Sequence, residues 1–292
     1  MIYLRKFETH NDYVDFTESE EFIKPNVSVC DEEDEVHYNP IIPHDYSQDY
    51  LTFVALEDGT FTFSGNAMQY SIDDGATWNA LASNTASPTV TAGNKIMWKQ
   101  TGLVPVTGNG IGSFLSTGEF NCEGNIMSLY YGDDFAGQTD LSGKHSAFRF
   151  MFKGCSHLVS CENLVLPATT LSEYCYVVMF SGCTSLTTAP ELPATTLANA
   201  CYSSMFSNCV SLTRAPELPA EIMTIHCYYG LFSGCTSLNS ITCLAISSSG
   251  SYPTSNWVTG VAANGTFTKA ASATFWPTGT SGIPEGWTVQ DA

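Results

Sequence analysis

Eleven cysteines are the residues of this chain with the widest chemical scope, as disulfides, metal ligands or nucleophiles. Nine of them lie between residues 155 and 243, and seven of these form two columns that recur about every 26 residues. The sequence contains no CxxC or CxxH pair, the close spacing that structural zinc sites use. We therefore predict no metal, and reduced, buried thiols that act as small apolar side chains. A disulfide ladder is the alternative, because stacked columns could bring cysteines within bonding range.

A tyrosine follows each cysteine of the second column, and these tyrosines are candidates to contact a ligand. Stacking of repeats would align Tyr176, Tyr202 and Tyr228 in a row, each with an apolar ring and a polar tip. Arg214 joins them, because Thr188 at the same place in the preceding repeat is neutral and the column is expected to be exposed. Such a row would suit a glycan or an extended partner. The alternative is that the three rings only pack over the next repeat.

Two further motifs could carry chemistry. The segment Ser71–Trp78 reads SIDDGATW and is similar to the Asp-box of sialidases, which in that family is a structural hairpin and not a catalytic element. We expect Asp73 to cap the turn, Gly75 to adopt a positive φ and Trp78 to pack below it. The acidic run Asp31–Glu35 is predicted to be a solvated turn, and a calcium site is the alternative although its spacing is not that of an EF-hand.

Catalytic motifs are lacking in the sequence. There is no GxSxG, HExxH or P-loop, and the six histidines are scattered along the chain. We therefore predict that the protein is not an enzyme and that it uses no cofactor.

The cysteines belong to an internal repeat. A Met/Leu-Phe-x-x-Cys element recurs at 151–155, 179–183, 205–209 and 231–235, in steps of 28, 26 and 26 residues. This period lies within the roughly 20–29 residues of leucine-rich repeats. The spacing of Leu197, Cys201 and Met205 predicts a short helix in each repeat.

The repeat also resembles a known class. The stretch FSGCTSLTTAPELPATTLANACYSSMFSNCVSL at 180–212 is similar to the BspA-like leucine-rich repeats in surface proteins of gut and oral bacteria. The resemblance implies a leucine-rich-repeat solenoid over residues 141–250. It also implies a C-terminal cap over 251–292, in which three tryptophans cover the apolar end of the stack: Trp257, Trp276 and Trp287.

The regions before the repeats predict β-structure. Short strands with turn signals over residues 50–110 predict a small β-sandwich. Within it, Thr52–Leu56 and Thr60–Phe63 flank an Asp-Gly turn and predict a hairpin. Residues 111–140 are interpreted as a β connection to the solenoid. The chain as a whole is predicted to be mainly β with short helices.

The N-terminal segment 1–49 differs in composition and is strongly acidic. Its stretches KFETHNDYVDF, PNVSVC and EVHYNP resemble the N-termini of structural proteins from tailed phages of gut Bacteroidales. In those proteins a shared head precedes variable bodies, which implies that residues 1–49 are a docking segment for other virion proteins.

The net charge of the chain limits the classes of partner that it is expected to bind. A net charge of −19 with only 10 Lys and Arg argues against nucleic acid and anionic membrane. The N-terminus lacks the apolar region of a secretory signal, which favours assembly into a virion in the host cytoplasm. The resemblances imply a head or tail fibre or decoration protein, a homo-oligomer such as a trimer, that presents its repeats to a host-surface glycan or protein. The alternative is a BspA-like adhesin on the bacterial cell surface.

Overall fold

The described chain consists mainly of strands and turns, as predicted. The structure is a computed structural model that describes residues 44–101 and 110–292, so the acidic run Asp31–Glu35 and most of the predicted docking segment lie outside the described residues. The compact unit begins at Tyr46. The helical elements of this part are one short α-helix, α1 (Ser128–Tyr131), and two 3₁₀ turns, Tyr46–Gln48 and Gly132–Asp134. The described strands are β1 (Leu51–Ala55), β2 (Phe61–Gly65), β3 (Met68–Ser71), β4 (Asn79–Leu81), β5 (Lys95–Gln100), β6 (Gly112–Ser116), β7 (Phe120–Asn125), β8 (Leu158–Ser160), β9 (Leu164–Val165), β10 (Ile222–Met223), β11 (Ser240–Cys243), β12 (Ser247–Ser248), β13 (Thr266–Lys269) and β14 (Thr288–Asp291).

Strand β1 is central to an antiparallel sheet in the order β4-β3-β5-β1-β7, while β2 pairs with β6. The predicted hairpin between Thr52–Leu56 and Thr60–Phe63 is therefore wrong. Four of the five residues of β1 are buried, and a strand buried in this way takes neighbours on both edges, here β5 and β7. The two sheets share an aromatic core, in which the ring of Phe53 lies 5.1 Å from Phe61 and 4.9 Å from Phe114.

Strand β7 joins this region to the repeats. It pairs with β1 in the antiparallel direction and with β8 and β9 in the parallel direction. The later rungs are parallel as well, through bridges such as Ser160↔Thr188 and Arg214↔Ser240 and then through β11, β13 and β14. The chain thus returns in the same direction once per repeat, and each repeat adds one rung.

The predicted short helix at Leu197–Met205 is wrong, because this part of every repeat is a run of tight turns. A left-handed residue occurs at every fourth position, which interrupts any right-handed helix. In the second repeat these residues are Tyr174, Val178 and Gly182, with φ of 61°, 59° and 78°. The five turn segments defined in this way are 146–154, 174–182, 200–208, 226–234 and 252–260.

The backbone donors of the turn segments alternate between two kinds of partner. Tyr176, Val178 and Phe180 donate to carbonyl oxygens one repeat further on, at 2.9, 2.9 and 2.8 Å. The N–H groups between them close local turns, as from Met179 to the carbonyl oxygen of Tyr176 at 3.3 Å. Half of the hydrogen bonds that a helix would keep internal therefore hold neighbouring repeats in register.

Side chains stack in the same register. The rings of Phe152, Phe180, Phe206 and Phe232 follow one another at 5.3, 5.4 and 5.9 Å between centroids, all nearly parallel. At the C-terminal end, the indole of Trp257 lies 6.3 Å from Phe232 and 5.5 Å from Trp276, and Trp287 is also buried. The indole nitrogens of Trp257 and Trp287 donate to backbone carbonyls at 2.8 Å.

Val178 gives a test of the left-handed positions. A β-branched residue disfavours this conformation, whereas asparagine tolerates it, and the difference is about 1 kcal/mol. We expect Val178→Asn to raise the free energy of unfolding by about that amount in denaturant titrations. Asn256 holds the same place three repeats later with φ of 56°, so Asn256→Val should lower it. A loss of stability in Val178→Asn would contradict the left-handed assignment.

Candidate functional site

The described cysteines line the interior of the stack. All ten are free and buried, in agreement with the prediction of buried thiols. Burial raises the pKa of Cys175 and of Cys243 to about 12, so these side chains stay protonated in neutral solution. The thiols of Cys183, Cys209 and Cys235 each donate to a phenylalanine carbonyl oxygen in the preceding repeat. The acceptors are Phe152, Phe180 and Phe206, at 3.0, 3.1 and 2.9 Å. Their position is structural, without the exposure that a nucleophile needs.

The tyrosine row lies inside the repeats and not on their surface. Tyr176, Tyr202 and Tyr228 are at most 2% exposed. Their rings stack at 5.7 and 6.2 Å between centroids, within 10° of parallel. Burial raises the pKa of all three phenols well above the usual range. The prediction of an exposed ligand-binding row is therefore wrong. The three rings pack on one another from repeat to repeat, which was the alternative interpretation.

Arg214 is exposed, as is Thr188, in agreement with the prediction for that column. It lies at a rung where its backbone bridges Ser240, away from the turn segments. The structure therefore does not bring Arg214 together with the tyrosines of the predicted site.

Exposed aromatic side chains occur instead at the first and fourth places of the turn segments, which we call the variable face. Backbone hydrogen bonds from Ser146, Tyr174 and Ala200 to the following repeat, at 3.0, 3.2 and 2.9 Å, set these places in register. The residues of the variable face, in chain order, are Ser146, Tyr174, Ala200, His226 and Tyr252 at the first place and Arg149, Val177, Ser203, Tyr229 and Ser255 at the fourth. Of these, Ser146, Val177 and Ala200 are buried.

The variable face carries large side chains at both ends and small ones in the middle. Tyr174 is 46% exposed near one end, and Tyr229 and Tyr252 are 41% and 69% exposed near the other. The ring of His226 stacks on Tyr252 at 6.1 Å and meets the edge of Tyr229 at 5.6 Å. With about 4.8 Å per parallel rung, the distance from Tyr174 to Tyr252 is on the order of 15 Å.

An open groove of about 610 Å³ lies at the first end of the variable face. Asn199 donates to Oε1 of Glu173 at 3.2 Å, and Nδ1 of His145 lies 3.9 Å from Oε2 of the same carboxylate. The guanidinium carbon of Arg149 lies 4.4 Å from the ring centroid of Phe150. The groove thus combines hydrogen-bonding side chains with the exposed ring of Tyr174. Its lining residues are His145, Ser146, Arg149, Glu173 and Tyr174.

The Asp-box folds as predicted, as the tip of the β3–β4 hairpin. Asp73 accepts hydrogen bonds from the Thr77 hydroxyl at 2.6 Å and from the Ser71 hydroxyl at 2.7 Å, and these bonds lower its pKa to about 2. Gly75 has φ of 83°. Trp78 packs against Tyr50 with 4.8 Å between ring centroids. The side chain of Asp73 is therefore engaged in hydrogen bonds within the motif.

The ammonium group of Lys99 lies against the aromatic rings of Tyr50 and Trp78 beside this hairpin. Nζ of Lys99 is 4.2 Å from the ring centroid of Trp78 and 2.6 Å from a carboxylate oxygen of Asp133. Asp133 also accepts a 2.7 Å hydrogen bond from Tyr50, and burial followed by this bond raises the pKa of Tyr50 to about 12. The cluster holds Tyr50 and β5 to the turn after α1, which is a packing role.

The described residues contain neither a candidate metal site nor a helix that could cross a membrane. Within 44–101 and 110–292, no three His, Cys, Asp or Glu side chains are grouped closely enough to hold a metal ion. No helix of the same residues is long and apolar enough to span a bilayer.

Comparison with known proteins adds no relative. No protein-family model, no curated protein and no solved structure matches this chain.

Proposed function

We propose that this chain is a non-enzymatic structural protein of a phage virion, a fibre or decoration, that presents a leucine-rich-repeat solenoid for adhesion. Residues 1–49 would dock it to other virion proteins, and the small β-sandwich would act as a spacer. The ligand would be a glycan or protein of the host surface. The resemblance of the N-terminal stretches to phage structural proteins favours the virion over a bacterial cell-surface adhesin, which the repeat resemblance alone would favour.

The observation that carries the proposal is the register of the turn segments. Five of them are joined by hydrogen bonds between repeats, such as those from Phe206 to Leu231 at 3.0 Å and from Phe232 to Trp257 at 2.8 Å. Such a ladder fixes the backbone that carries the exposed side chains before any ligand arrives, which lowers the entropic cost of binding an extended partner. The variable face offers these side chains along one side of the stack.

Imaging would test the assignment to a virion. Virions purified from a gut Bacteroidales host that carries this gene would be labelled with an antibody against residues 46–292 and viewed by negative stain. We expect label at a fixed place on the particle. Label on the bacterial envelope together with bare virions would instead support the cell-surface adhesin.

The docking role of the N-terminal segment gives a second test. A chain that begins at Tyr46 keeps the 2.9 Å hydrogen bonds from Asn125 to Asp49 and Ser47, so it should melt at the same temperature as the full chain. We expect it to be missing from purified virions, because all but the last four residues of the proposed docking segment are removed. Normal incorporation, measured by immunoblot of virions, would show that docking lies elsewhere.

A further inference from the structure

The second end of the variable face carries no fixed charge, in a protein whose net charge is −19. No Asp, Glu, Lys or Arg occurs from Ile222 to Thr268, a stretch that includes both turn segments of this end, 226–234 and 252–260. The first end differs, because Arg149 and Glu173 line its groove. A ligand at the second end would therefore be held without ion pairs.

Four side chains form what we call the aromatic cluster at this end: Ile225, His226, Tyr229 and Tyr252. Ile225, Tyr229 and Tyr252 are 42%, 41% and 69% exposed. The two ring contacts of His226, with Tyr229 and with Tyr252, hold the three rings together. Ile225 lies one place before His226, where side chains of neighbouring repeats also meet, as Asn199 and Glu173 do at 3.2 Å.

Tyr252 offers a free ring face. Its ring lies at 22° to that of His226, so one face is turned toward the imidazole. An exposed fraction of 69% requires the opposite face to be open to solvent. The neighbouring Ser251 and Asn256 are exposed as well and can exchange hydrogen bonds with a ligand. Aromatic rings with a few polar groups beside them are the usual composition of a ligand site.

The exposed apolar area is small for a stable protein interface. From the about 150–250 Å² that a tyrosine buries when fully covered, the aromatic cluster offers on the order of 300 Å². The exposed Ile222 and Ile246 raise this to about 500 Å², whereas each partner in a stable complex contributes about 800 Å². A sugar ring needs less area, since its face of C–H groups packs on one aromatic ring and its hydroxyls bond to polar neighbours.

We propose that the aromatic cluster binds a neutral sugar chain. The C–H face of one sugar unit would pack on the open face of Tyr252, and its hydroxyls would meet Ser251 and Asn256. An acidic chain would approach a protein of net charge −19 without an ion pair to offset the repulsion. This inference rests on the proposed adhesion by the repeat surface, and it names the ligand class and its site.

Native electrophoresis in gels that contain a soluble polysaccharide would test the ligand class, because binding slows the migration of the chain. The full chain would be run in neutral mannan, dextran and xyloglucan, and in acidic polygalacturonate. We expect at least one neutral polymer to slow the chain and polygalacturonate to leave it unchanged. No slowing by any neutral polymer, or equal slowing by polygalacturonate, would overturn the inference.

Two tyrosine variants would test the site. Tyr252→Asn should weaken binding of that neutral polymer about tenfold, as expected for the loss of a central aromatic contact. Tyr174→Asn is the matched control, because it makes the same change at the same place of a turn segment near the other end, and it should bind as the unchanged chain does. Asparagine tolerates the left-handed backbone at both places, with φ of 54° and 61°. Equal affinities of the two variants would rule out the aromatic cluster.

Binding of the labelled full chain to host cells separates this inference from the proposed function. We expect the neutral polymer that slows the chain to compete with the cells. Binding to cells that none of the neutral polymers reduces would overturn this inference and leave adhesion standing. Binding to neither cells nor polymers would count against both.

Discussion

Alkaline solution is expected to unfold this protein steeply between pH 9 and pH 12. Five thiols have a pKa raised by burial from 9.0 to about 12: Cys155, Cys175, Cys227, Cys235 and Cys243. Below pH 9 the folded and unfolded chains hold these protons equally, so the stabilisation is complete. As the pH rises above 9, the unfolded chain loses them first, and stability falls until the folded pKa is reached.

The size of the effect follows from the number of thiols. Each contributes about 1.4 kcal/mol per pH unit, so the five together lower stability by about 7 kcal/mol per unit. A typical domain has only about 5–15 kcal/mol in total, so unfolding should be complete within about two pH units. Circular dichroism and thiolate absorbance, followed together during the titration, should change at the same pH.

A cysteine variant provides the control for the alkaline transition. Cys175→Ala removes one titrating group and should reduce the slope of stability against pH by about 1.4 kcal/mol per unit, beside any constant loss from packing. Thiolates that form with a midpoint near pH 9 while the circular dichroism stays native would contradict the burial of this column.

The repeat register could be predicted from sequence because identical residues recur at a fixed period. A column that is uniform in kind, such as Phe152, Phe180, Phe206 and Phe232, marks places where each repeat packs on the next. The same reasoning applies to the second cysteine column and its tyrosines, which are uniform and buried. The exposed tyrosines Tyr174 and Tyr252 lie in a column that varies from repeat to repeat, and this variation would have pointed to them in place of Tyr176.

The turn segments could not be told from helices by apolar spacing alone. A turn that repeats every four residues places Leu197, Cys201 and Met205 on one side, much as a helix of 3.6 residues per turn would. The distinguishing feature is the last left-handed place of each segment, which is occupied by Gly or Asn throughout: Gly154, Gly182, Asn208, Gly234 and Gly260. The strands that pair with β1 could not be predicted from local sequence either, because β5 and β7 lie far along the chain.

Phe206→Ala is expected to be the most damaging single substitution of a ring in the stack. Its side chain is fully buried and lies 5.4 Å from Phe180 and 5.9 Å from Phe232 between centroids. Removal of a buried phenylalanine costs about 3–5 kcal/mol through lost transfer energy and the cavity left behind. The loss falls on the interfaces to both neighbours, and a stack of repeats is stabilised mainly by such interfaces.

Denaturant unfolding would measure the loss, and hydrogen exchange would locate it. Amides that bridge the neighbouring turn segments, such as those of Phe180 and Phe232, should lose protection together. Phe275→Ala is the matched control, because it makes the same chemical change at a ring that is 39% exposed. It should cost less than about 1 kcal/mol. Equal losses in the two variants would show that the phenylalanine column is not what joins the repeats, and that the stack depends on its backbone ladder alone.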